Sequence, residues 1–153
     1  MLVALSLLCA ASGMAHAQRP PTFKDCPATV QAGHAPPRLV LDARSRAYRS
    51  AIAEAVAAHA VNFAGHYVLA EWGCGAGCVM AAAVDTKTGR VTSLPFTVSD
   101  WPLDVMEPLT YRADSCMLVV QGSRHENEER GTYYYTFDGK AFRQRANGTQ
   151  AGR

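Results

Sequence analysis

The stretch FAGHYVLAEWGCGAGCVMAAAV (Phe63–Val84) decides the fold, because it contains two strand-like runs joined by a short glycine-rich connection. The first run, FAGHYVLAEW, has no proline and is rich in aromatic and β-branched residues, as strands are. The second run, VMAAAV, is short and continuously apolar, which predicts a buried strand. Alternation along the first run predicts one face with Phe63, Gly65, Tyr67 and Leu69, and another with His66, Val68, Ala70 and Trp72.

The first seventeen residues, MLVALSLLCAASGMAHA, have the features of an export signal. Leu2 to Met14 are almost all apolar or small, and this run is too short to span a bilayer. Ala15-His16-Ala17 has the small-x-small form of a signal-peptidase site. We therefore predict cleavage after Ala17 and a periplasmic or secreted protein with no membrane span after cleavage. Because no Lys or Arg precedes the apolar run, a buried N-terminal segment is the alternative.

Cleavage would leave four cysteines, and an even number in an exported domain predicts two disulfides. Three pairings are possible. We expect Cys74–Cys78, because the glycines at positions 75 and 77 allow the tight turn that a short bridge requires. Cys26 and Cys116 then form the second bridge, whose long loop removes more entropy from the unfolded chain.

Around the central stretch, the sequence predicts four regions, which are a signal peptide at 1–17, an extended proline-rich lead-in at 18–42, a single domain at 43–145 and a disordered tail at 146–153. Alanine-rich periodicity predicts a helix from about Ala43 to Ala60, capped by Asp42 and ended near Asn62. Turn signals at DTKTG and Asp138-Gly139 predict hairpins. The predicted fold class is α+β, with one N-terminal amphipathic helix packed on an antiparallel β-meander of about six or seven strands.

Four motifs resemble those of a family of uncharacterised secreted bacterial proteins. They are N-F-A-G-x-Y, W-G-C-G-x-x-C, D-x-x-T-G-x-V and a terminal Y-x-F-D-G-K hairpin, and the similarity extends from about Phe23 to Arg143. The resemblance implies a fold and an exported location, and no activity. Positions 26 and 116 are not usually cysteine in this family pattern, so the presence of both here supports a bridge between them.

Composition and motifs exclude several classes of function. The net charge is only +2 and the arginines are scattered, which argues against a nucleic-acid partner. Gly-x-Ser-x-Gly is absent, and the glycines at 73, 75 and 77 lack the Lys-Ser/Thr of a phosphate loop. We predict no catalytic constellation, no metal and no cofactor.

The cysteine pair Cys74/Cys78 admits three other interpretations. It could bind zinc together with His66 or His125, but the sequence has no second clustered ligand pair. It could perform thiol-redox chemistry, although redox motifs have two residues between the cysteines and start a helix. The glycine-rich loop could also hold an anion on its main-chain N–H groups. We favour a structural staple.

The candidate binding surface consists of aromatic and cationic residues near predicted strand ends. Trp72 could stack on a glycan or peptide, although a core aromatic is the simpler interpretation. Arginines and a histidine near the polar loop HENEER could form a protein-binding rim, with a solvated loop as the simpler interpretation. The full predicted surface is Trp72, His66, Tyr67, Arg112, Arg124 and His125.

Three hypotheses for function follow from these observations. The preferred one is a small exported binding module with an envelope protein or a glycan as its partner. The second is an enzyme, either a hydrolase of envelope polymers using His66, Asp100 or Glu71, or a thiol-redox enzyme. The third is a purely structural domain.

Overall fold

The structure is a computed structural model that describes residues 19–32, 38–125 and 129–145. The predicted signal peptide and the predicted tail lie outside the described residues, as do residues 126–128 of the polar loop. Within the described residues, no helix is long and apolar enough to cross a membrane.

The described residues form one α-helix and eight strands. The helix α1 spans Arg49–Ala58 and follows a short 3-10 turn at Ser45–Tyr48, with another 3-10 turn at Phe23–Asp25. The strands are β1 (Tyr67–Gly75), β2 (Cys78–Asp85), β3 (Val91–Ser93), β4 (Val98–Ser99), β5 (Leu109–Tyr111), β6 (Met117–Arg124), β7 (Gly131–Phe137) and β8 (Phe142–Gln144).

All strand pairs are antiparallel, in the order β1-β2-β4-β6-β7-β8, with β3 also on β2 and β5 also on β6. The fold is therefore an antiparallel sheet with a helix, as predicted, but it has more than six or seven strands. The additional strand is β4, which no pattern in the sequence predicts. Two residues are too few for a periodic signal, and β4 exists because it bridges Cys78–Val79 of β2 and Ser123–Arg124 of β6.

The main core lies between the two halves of the sheet that β4 joins. Leu69, Ala83 and Leu94 from the first half meet Leu118, Tyr135 and Phe142 from the second. Phe63 is fully buried in this core, just before β1. Tyr67 and Leu69 face this core from β1 together with Phe63, in agreement with the predicted alternation of that run.

A second core lies on the opposite face of β1–β2–β3, under the helix. It contains Ile52 and Val56 from α1, together with Val68, Ala70 and Trp72 from β1. Ala82 and Val84 of β2 also belong to it, whereas Ala81 and Ala83 belong to the main core. β2 is therefore covered on both faces, which explains its continuous apolar sequence.

The helix differs from its prediction in position and length. It is not N-terminal, since described residues from Arg19 onward precede it, and its α-helical part runs only from Arg49 to Ala58. Asp42 Oδ1 accepts a hydrogen bond from the Ser45 main-chain N–H at 2.8 Å, and a 3-10 turn at Ser45–Tyr48 precedes the α-helical residues. His59 follows the helix with extended backbone, at φ −121° and ψ 139°.

The lead-in is bound to the domain at several points. The Ala28 main-chain N–H donates to the Asp114 carbonyl at 2.8 Å, and the Gln31 N–H donates to the Gly65 carbonyl at 2.8 Å. The end of the lead-in pairs with the sheet through one parallel bridge, between Val40 and Arg90. The lead-in therefore contributes main-chain hydrogen bonds to the strand ends at Gly65 and Asp114.

Two disulfides join Cys26 to Cys116 and Cys74 to Cys78, with Cα–Cα distances of 5.4 and 5.1 Å. This is the pairing favoured from the sequence. The short bridge closes the β1–β2 connection, where Gly75 and Gly77 have φ values of +137° and +62°. The long bridge ties the lead-in to the start of β6 across 90 residues.

Candidate binding site at the open edge of β1

β1 is the terminal strand of the sheet, and its outer edge is partly covered by the chain that precedes it. The Tyr67 N–H donates to the Phe63 carbonyl at 2.9 Å, and the Phe63 N–H donates back to the Tyr67 carbonyl at 3.1 Å. The Asn62 side chain continues this cover, since its Oδ1 accepts from the Leu69 N–H at 2.7 Å and its Nδ2 donates to the Leu69 carbonyl at 3.4 Å. Asn62 thus takes the place of a strand partner, rather than ending the helix as predicted.

Beyond Leu69 the same edge is open. Main-chain groups alternate between the two sides of an antiparallel strand, so Glu71 and Gly73 present their N–H and C=O groups on the same side as Tyr67 and Leu69. No residue in the described part of the chain hydrogen-bonds these groups. Gly73 is exposed to solvent. The edge therefore offers two unpaired donors and two unpaired acceptors in strand geometry.

The Glu71 side chain points from this edge toward the inner side of the sheet, where it meets Tyr111 of β5. Each of these two side chains shifts the pKa of the other, so the Glu71 carboxyl and the Tyr111 hydroxyl lie close together. The Tyr111 ring in turn packs edge-on against Phe63, with ring centroids 6.1 Å apart. Glu71 and Tyr111 thus span the cleft where the free edges of the two sheet halves approach each other, which we call the β1–β5 cleft.

The pKa of the Glu71 carboxyl at the β1–β5 cleft is raised from its ordinary value. Burial raises the pKa of the Glu71 carboxyl, and the hydrogen bond from Tyr111 offsets part of that increase. The charge of Glu107 raises the Glu71 pKa further, whereas nearby His59 lowers it. Burial and the Glu71 carboxyl raise the pKa of the Tyr111 hydroxyl well above its ordinary value. A cationic group entering the cleft would therefore be attracted to Glu107 and would favour the ionised form of Glu71.

The surface around the cleft is open and mixed in character. A groove next to Tyr111 is lined by His59, Asn62, Arg112 and Asp114, together with the half-exposed Val30. Leu103 and Met106, in the loop before β5, are almost fully exposed. Met106 directly precedes Glu107, so an exposed apolar side chain lies beside the acidic cleft.

Trp72 lies under the helix. It is 9% exposed, its ring is 5.3 Å from that of Tyr48, and it belongs to the second core. Its Nε1 has no hydrogen-bond partner among the described residues. This position corresponds to the core aromatic that the sequence interpretation preferred over a stacking platform.

His66 and Tyr67 lie at the opposite end of β1 from the short disulfide. His66 Nε2 is 3.7 Å from Asp85 Oδ1, and its ring lies 4.3 Å from that of Tyr67. Tyr67 also packs edge-on against Phe137 at 4.9 Å. Asp85 is already engaged in its own turn, since its carboxylate accepts from the Lys87 N–H and the Thr88 hydroxyl. His66 and Tyr67 therefore make packing contacts that stabilise the start of β1.

Arg112 is separated from two other members of the predicted surface, Arg124 and His125, which are consecutive at the end of β6. Arg112 lines the groove beside Tyr111 and pairs with Asp114 at 2.8 Å. Arg124 lies over the Tyr133 ring at 3.8 Å and donates to the Tyr135 hydroxyl at 2.8 Å. His125 follows β6 with φ +66°. Of the six predicted surface residues, the structure places Arg112 at the β1–β5 cleft.

The sequence interpretation missed His59, Glu107 and Tyr111, and it included Glu71 only as one possible catalytic acid. A signal for Glu71 was present, because a carboxylate at an inward-facing strand position is unusual and suggests a specific partner. Asp100, the other carboxylate considered, is exposed and pairs with Arg130.

The geometry around Cys74 and Cys78 bears on two of the alternatives for this pair, thiol-redox chemistry and metal binding. The pair sits at a strand-to-strand turn, whereas reactive thiols are typically activated at a helix N-terminus. Among the described residues, no group of three or more His, Cys, Asp or Glu side chains is placed to hold a metal ion. The bridge braces the end of β1 directly beside the open edge at Gly73.

Comparison of the chain with protein-family models, curated proteins and solved structures finds no match. The resemblance to a family of secreted bacterial proteins therefore stays a prediction from the motifs. Function is accordingly inferred from the geometry of the β1 edge and the β1–β5 cleft.

Proposed function

We propose that this disulfide-stapled protein is an exported, non-enzymatic binding module of the bacterial envelope. Its partner is a protein that adds an extended segment to the open edge of β1. The two disulfides and the apolar segment at the N-terminus support export. The open edge supports the mode of binding.

The single observation that carries this proposal is the change in hydrogen bonding along one edge. At Tyr67 and Leu69 the chain supplies its own partners, and at Glu71 and Gly73 the described residues supply none. An added strand would form main-chain hydrogen bonds at these positions and so continue the ladder that Phe63 and Asn62 begin. Strand addition of this kind obtains affinity from the main chain and specificity from side-chain pockets.

The surroundings of the edge indicate which partner segment would fit. Glu71 and Glu107 favour a Lys or Arg side chain directed into the β1–β5 cleft. The exposed side chains of Leu103 and Met106 favour an apolar neighbour on the same segment. The partner is therefore expected to present a short extended segment with one cationic and one or more apolar residues.

A pair of variants at Gly73 tests the proposal. Gly73→Pro removes the main-chain N–H at the open edge, and proline is tolerated on edge strands. Gly73→Ala keeps that N–H, and its Cβ would meet only the Cys78 carbonyl oxygen at 3.9 Å. We expect the wild-type protein and Gly73→Ala to capture the same protein from envelope extract, and Gly73→Pro to lose it. Hydrogen exchange in the purified complex should show protection at Glu71 and Gly73.

Two results would contradict the proposal. Equal capture by Gly73→Pro and Gly73→Ala would show that the partner does not pair with the edge. Equal capture of a glycan by Gly73→Pro and Gly73→Ala would indicate a glycan partner instead. A sugar cannot pair with the strand edge through main-chain hydrogen bonds, so the loss of one main-chain N–H would not weaken its binding. Circular dichroism and thermal unfolding of both variants would confirm that the fold is intact.

One observation favours the hydrolase alternative. Burial raises the pKa of Glu71, which is the direction that a general acid requires, and the charge of Glu107 raises it further. Release of soluble fragments from envelope polymers by the wild-type protein, abolished by Glu71→Gln, would support this alternative. Binding that persists in Glu71→Gln without any turnover would support the binding module.

A further inference from the structure

We propose that a basic surface around Val40 binds the face of an anionic phospholipid bilayer. We define the basic surface as the exposed residues Arg38, Val40, Arg44, Arg46, Arg90 and Lys140. It lies at the β3 side of β2, whereas the open edge of β1 lies at the other side of β2. The proposal is therefore independent of the strand-addition site, and both could be occupied at once.

Three segments meet at this surface. The Val40 N–H donates to the Gly89 carbonyl at 2.8 Å and the Val91 N–H donates to the Val40 carbonyl at 2.9 Å, so Val40 lies beside Arg90. Arg90 and Lys140 both line a notch whose other walls include Val40 and Asp42. The side chain of Asp42 bonds to Ser45, which places the turn with Arg44 and Arg46 next to the notch.

The cations of this surface are not neutralised by neighbouring carboxylates. In the described part of the chain none of the five has a carboxylate oxygen within 4.0 Å. Three arginines outside this surface do, since Arg112 pairs with Asp114, Arg130 with Asp100 and Arg143 with Asp138. Five cations without an ion pair among the described residues are thus grouped here, so the small net charge conceals a locally positive surface.

The carboxylate in the wall of the notch is committed to structural hydrogen bonds. Asp42 Oδ2 accepts from the Ser93 N–H at 2.8 Å, and Oδ1 accepts from the Ser93 hydroxyl at 2.9 Å and from the Ser45 N–H. It is turned toward those donors and is half-buried. An external anion would therefore find cations on the rim of the notch and few competing carboxylates.

Val40 distinguishes a bilayer from a soluble polyanion. It is 57% exposed among the cations, and a water-soluble polymer gains nothing from an apolar side chain there. An anionic bilayer offers phosphate groups to the cations and an apolar interface to the valine. The electrostatic attraction and the burial of the apolar side chain then both contribute to binding. The aliphatic stems of the arginines can lie along that same interface while their guanidinium groups contact the headgroups.

Co-sedimentation with vesicles tests the proposal on the mature protein. Vesicles of phosphatidylcholine with phosphatidylglycerol are compared with vesicles of phosphatidylcholine alone. Binding is expected only with phosphatidylglycerol, and it should weaken as salt is added. Because each cation near an anionic surface changes partitioning by about fivefold, Arg38→Ser/Arg90→Ser should reduce binding by about 25-fold.

The matched control is Arg130→Ser/Arg143→Ser, which removes the same net charge from paired positions. It should leave vesicle binding nearly unchanged, and Val40→Ser should reduce vesicle binding but not binding to soluble dextran sulfate. Equal losses in both double variants would overturn the proposal, because net charge alone would then explain binding. Binding to dextran sulfate but not to vesicles would overturn the bilayer as the ligand. Intact unfolding curves for all variants would exclude loss of fold as the cause.

Discussion

The carboxylate of Asp42 bonds to the main-chain N–H of Ser93 at 2.8 Å, and this contact joins the turn before α1 to β3. The same carboxylate also accepts from the Ser93 hydroxyl and from the Ser45 N–H. Ser45 is fully buried, and its hydroxyl lies 3.2 Å from the Asp42 carbonyl. One side chain therefore orients the start of the helix against the sheet.

Replacing Asp42 by alanine is expected to destabilise the protein by about 3 kcal/mol, since it leaves the N–H groups of Ser93 and Ser45 without their partner. Asp42→Asn keeps one acceptor oxygen, so its loss of stability should be about half that of Asp42→Ala. Urea unfolding gives both values. Asp114→Ala, which removes only an exposed ion pair with Arg112, serves as the control and should cost less than about 1 kcal/mol.

The pH dependence of this contact has a defined sign. Burial raises the pKa of Asp42, but the hydrogen bonds from Ser93 and Ser45 outweigh that effect and lower it overall. Its contribution to stability is therefore present above the unfolded-state value of about 3.9 and is lost as pH falls through the lower folded value. Asp42→Asn should lose less stability than the wild type between pH 4 and pH 2, and identical acid profiles would contradict this assignment.

The two disulfides should contribute unequally to stability. Cys26–Cys116 closes a loop with a sequence separation of 90, and Cys74–Cys78 closes one of 4. Loop-closure entropy predicts a loss of about 4–5 kcal/mol for Cys26→Ser/Cys116→Ser and about 2 kcal/mol for Cys74→Ser/Cys78→Ser. Denaturant unfolding of the two double variants measures the difference. Equal losses would show that native-state contacts at the short bridge outweigh the entropic effect.

Glu71 should make the protein less stable as the pH rises. Its folded-state pKa is raised, so the stability associated with its protonated form is fully present below the unfolded-state value and is lost as pH rises through the folded value. Glu71→Gln should remove this loss, and Tyr111→Phe should enlarge it, because the Tyr111 hydroxyl lowers the Glu71 pKa. Thermal unfolding from pH 4 to pH 8 is measured for the wild type and both variants. Parallel curves of stability against pH would refute the effect of Tyr111 on the Glu71 pKa.

Gly65 is required at its position by both conformation and space. Its φ is +84°, and a Cβ there would lie 2.7 Å from the Thr29 carbonyl oxygen of the lead-in. Gly65→Ala is expected to cost about 3 kcal/mol, from left-handed strain and displacement of the lead-in. Gly77→Ala is the control, since its φ is +62° and a Cβ there would meet no atom within 4 Å. It should cost about 1 kcal/mol, and equal losses would mean that the Thr29 contact is unimportant.

Much of the fold could be predicted because its signals are local. Alternation along β1 placed Leu69 and Trp72 on opposite faces, and the Asp138-Gly139 turn was recognisable before the β7–β8 hairpin was seen. The small residues between Cys74 and Cys78 indicated a bridge over a tight turn. Each of these features depends on neighbours within a few residues, where backbone geometry and side-chain type are directly coupled.

The candidate site was harder to predict because its members are distant in sequence. Glu71 and Tyr111 are brought together only when the two halves of the sheet fold toward each other, and no local pattern connects them. Trp72 was an attractive binding residue in the sequence, but its position under α1 depends on how the helix packs. β4 was missed because its two residues are a strand only through their partners.

By itself, the sequence determined the alternating faces of the long strands, the turns between them and the cysteines available for bridging, since these follow from short-range sterics and side-chain chemistry. The tertiary structure alone decided which edge of β1 stays unpaired among the described residues, which carboxylate is partly buried beside a tyrosine, and which described cations form no ion pair. Those properties depend on distances between residues far apart in the chain, and such distances exist only once the sheet halves, the helix and the lead-in have packed together.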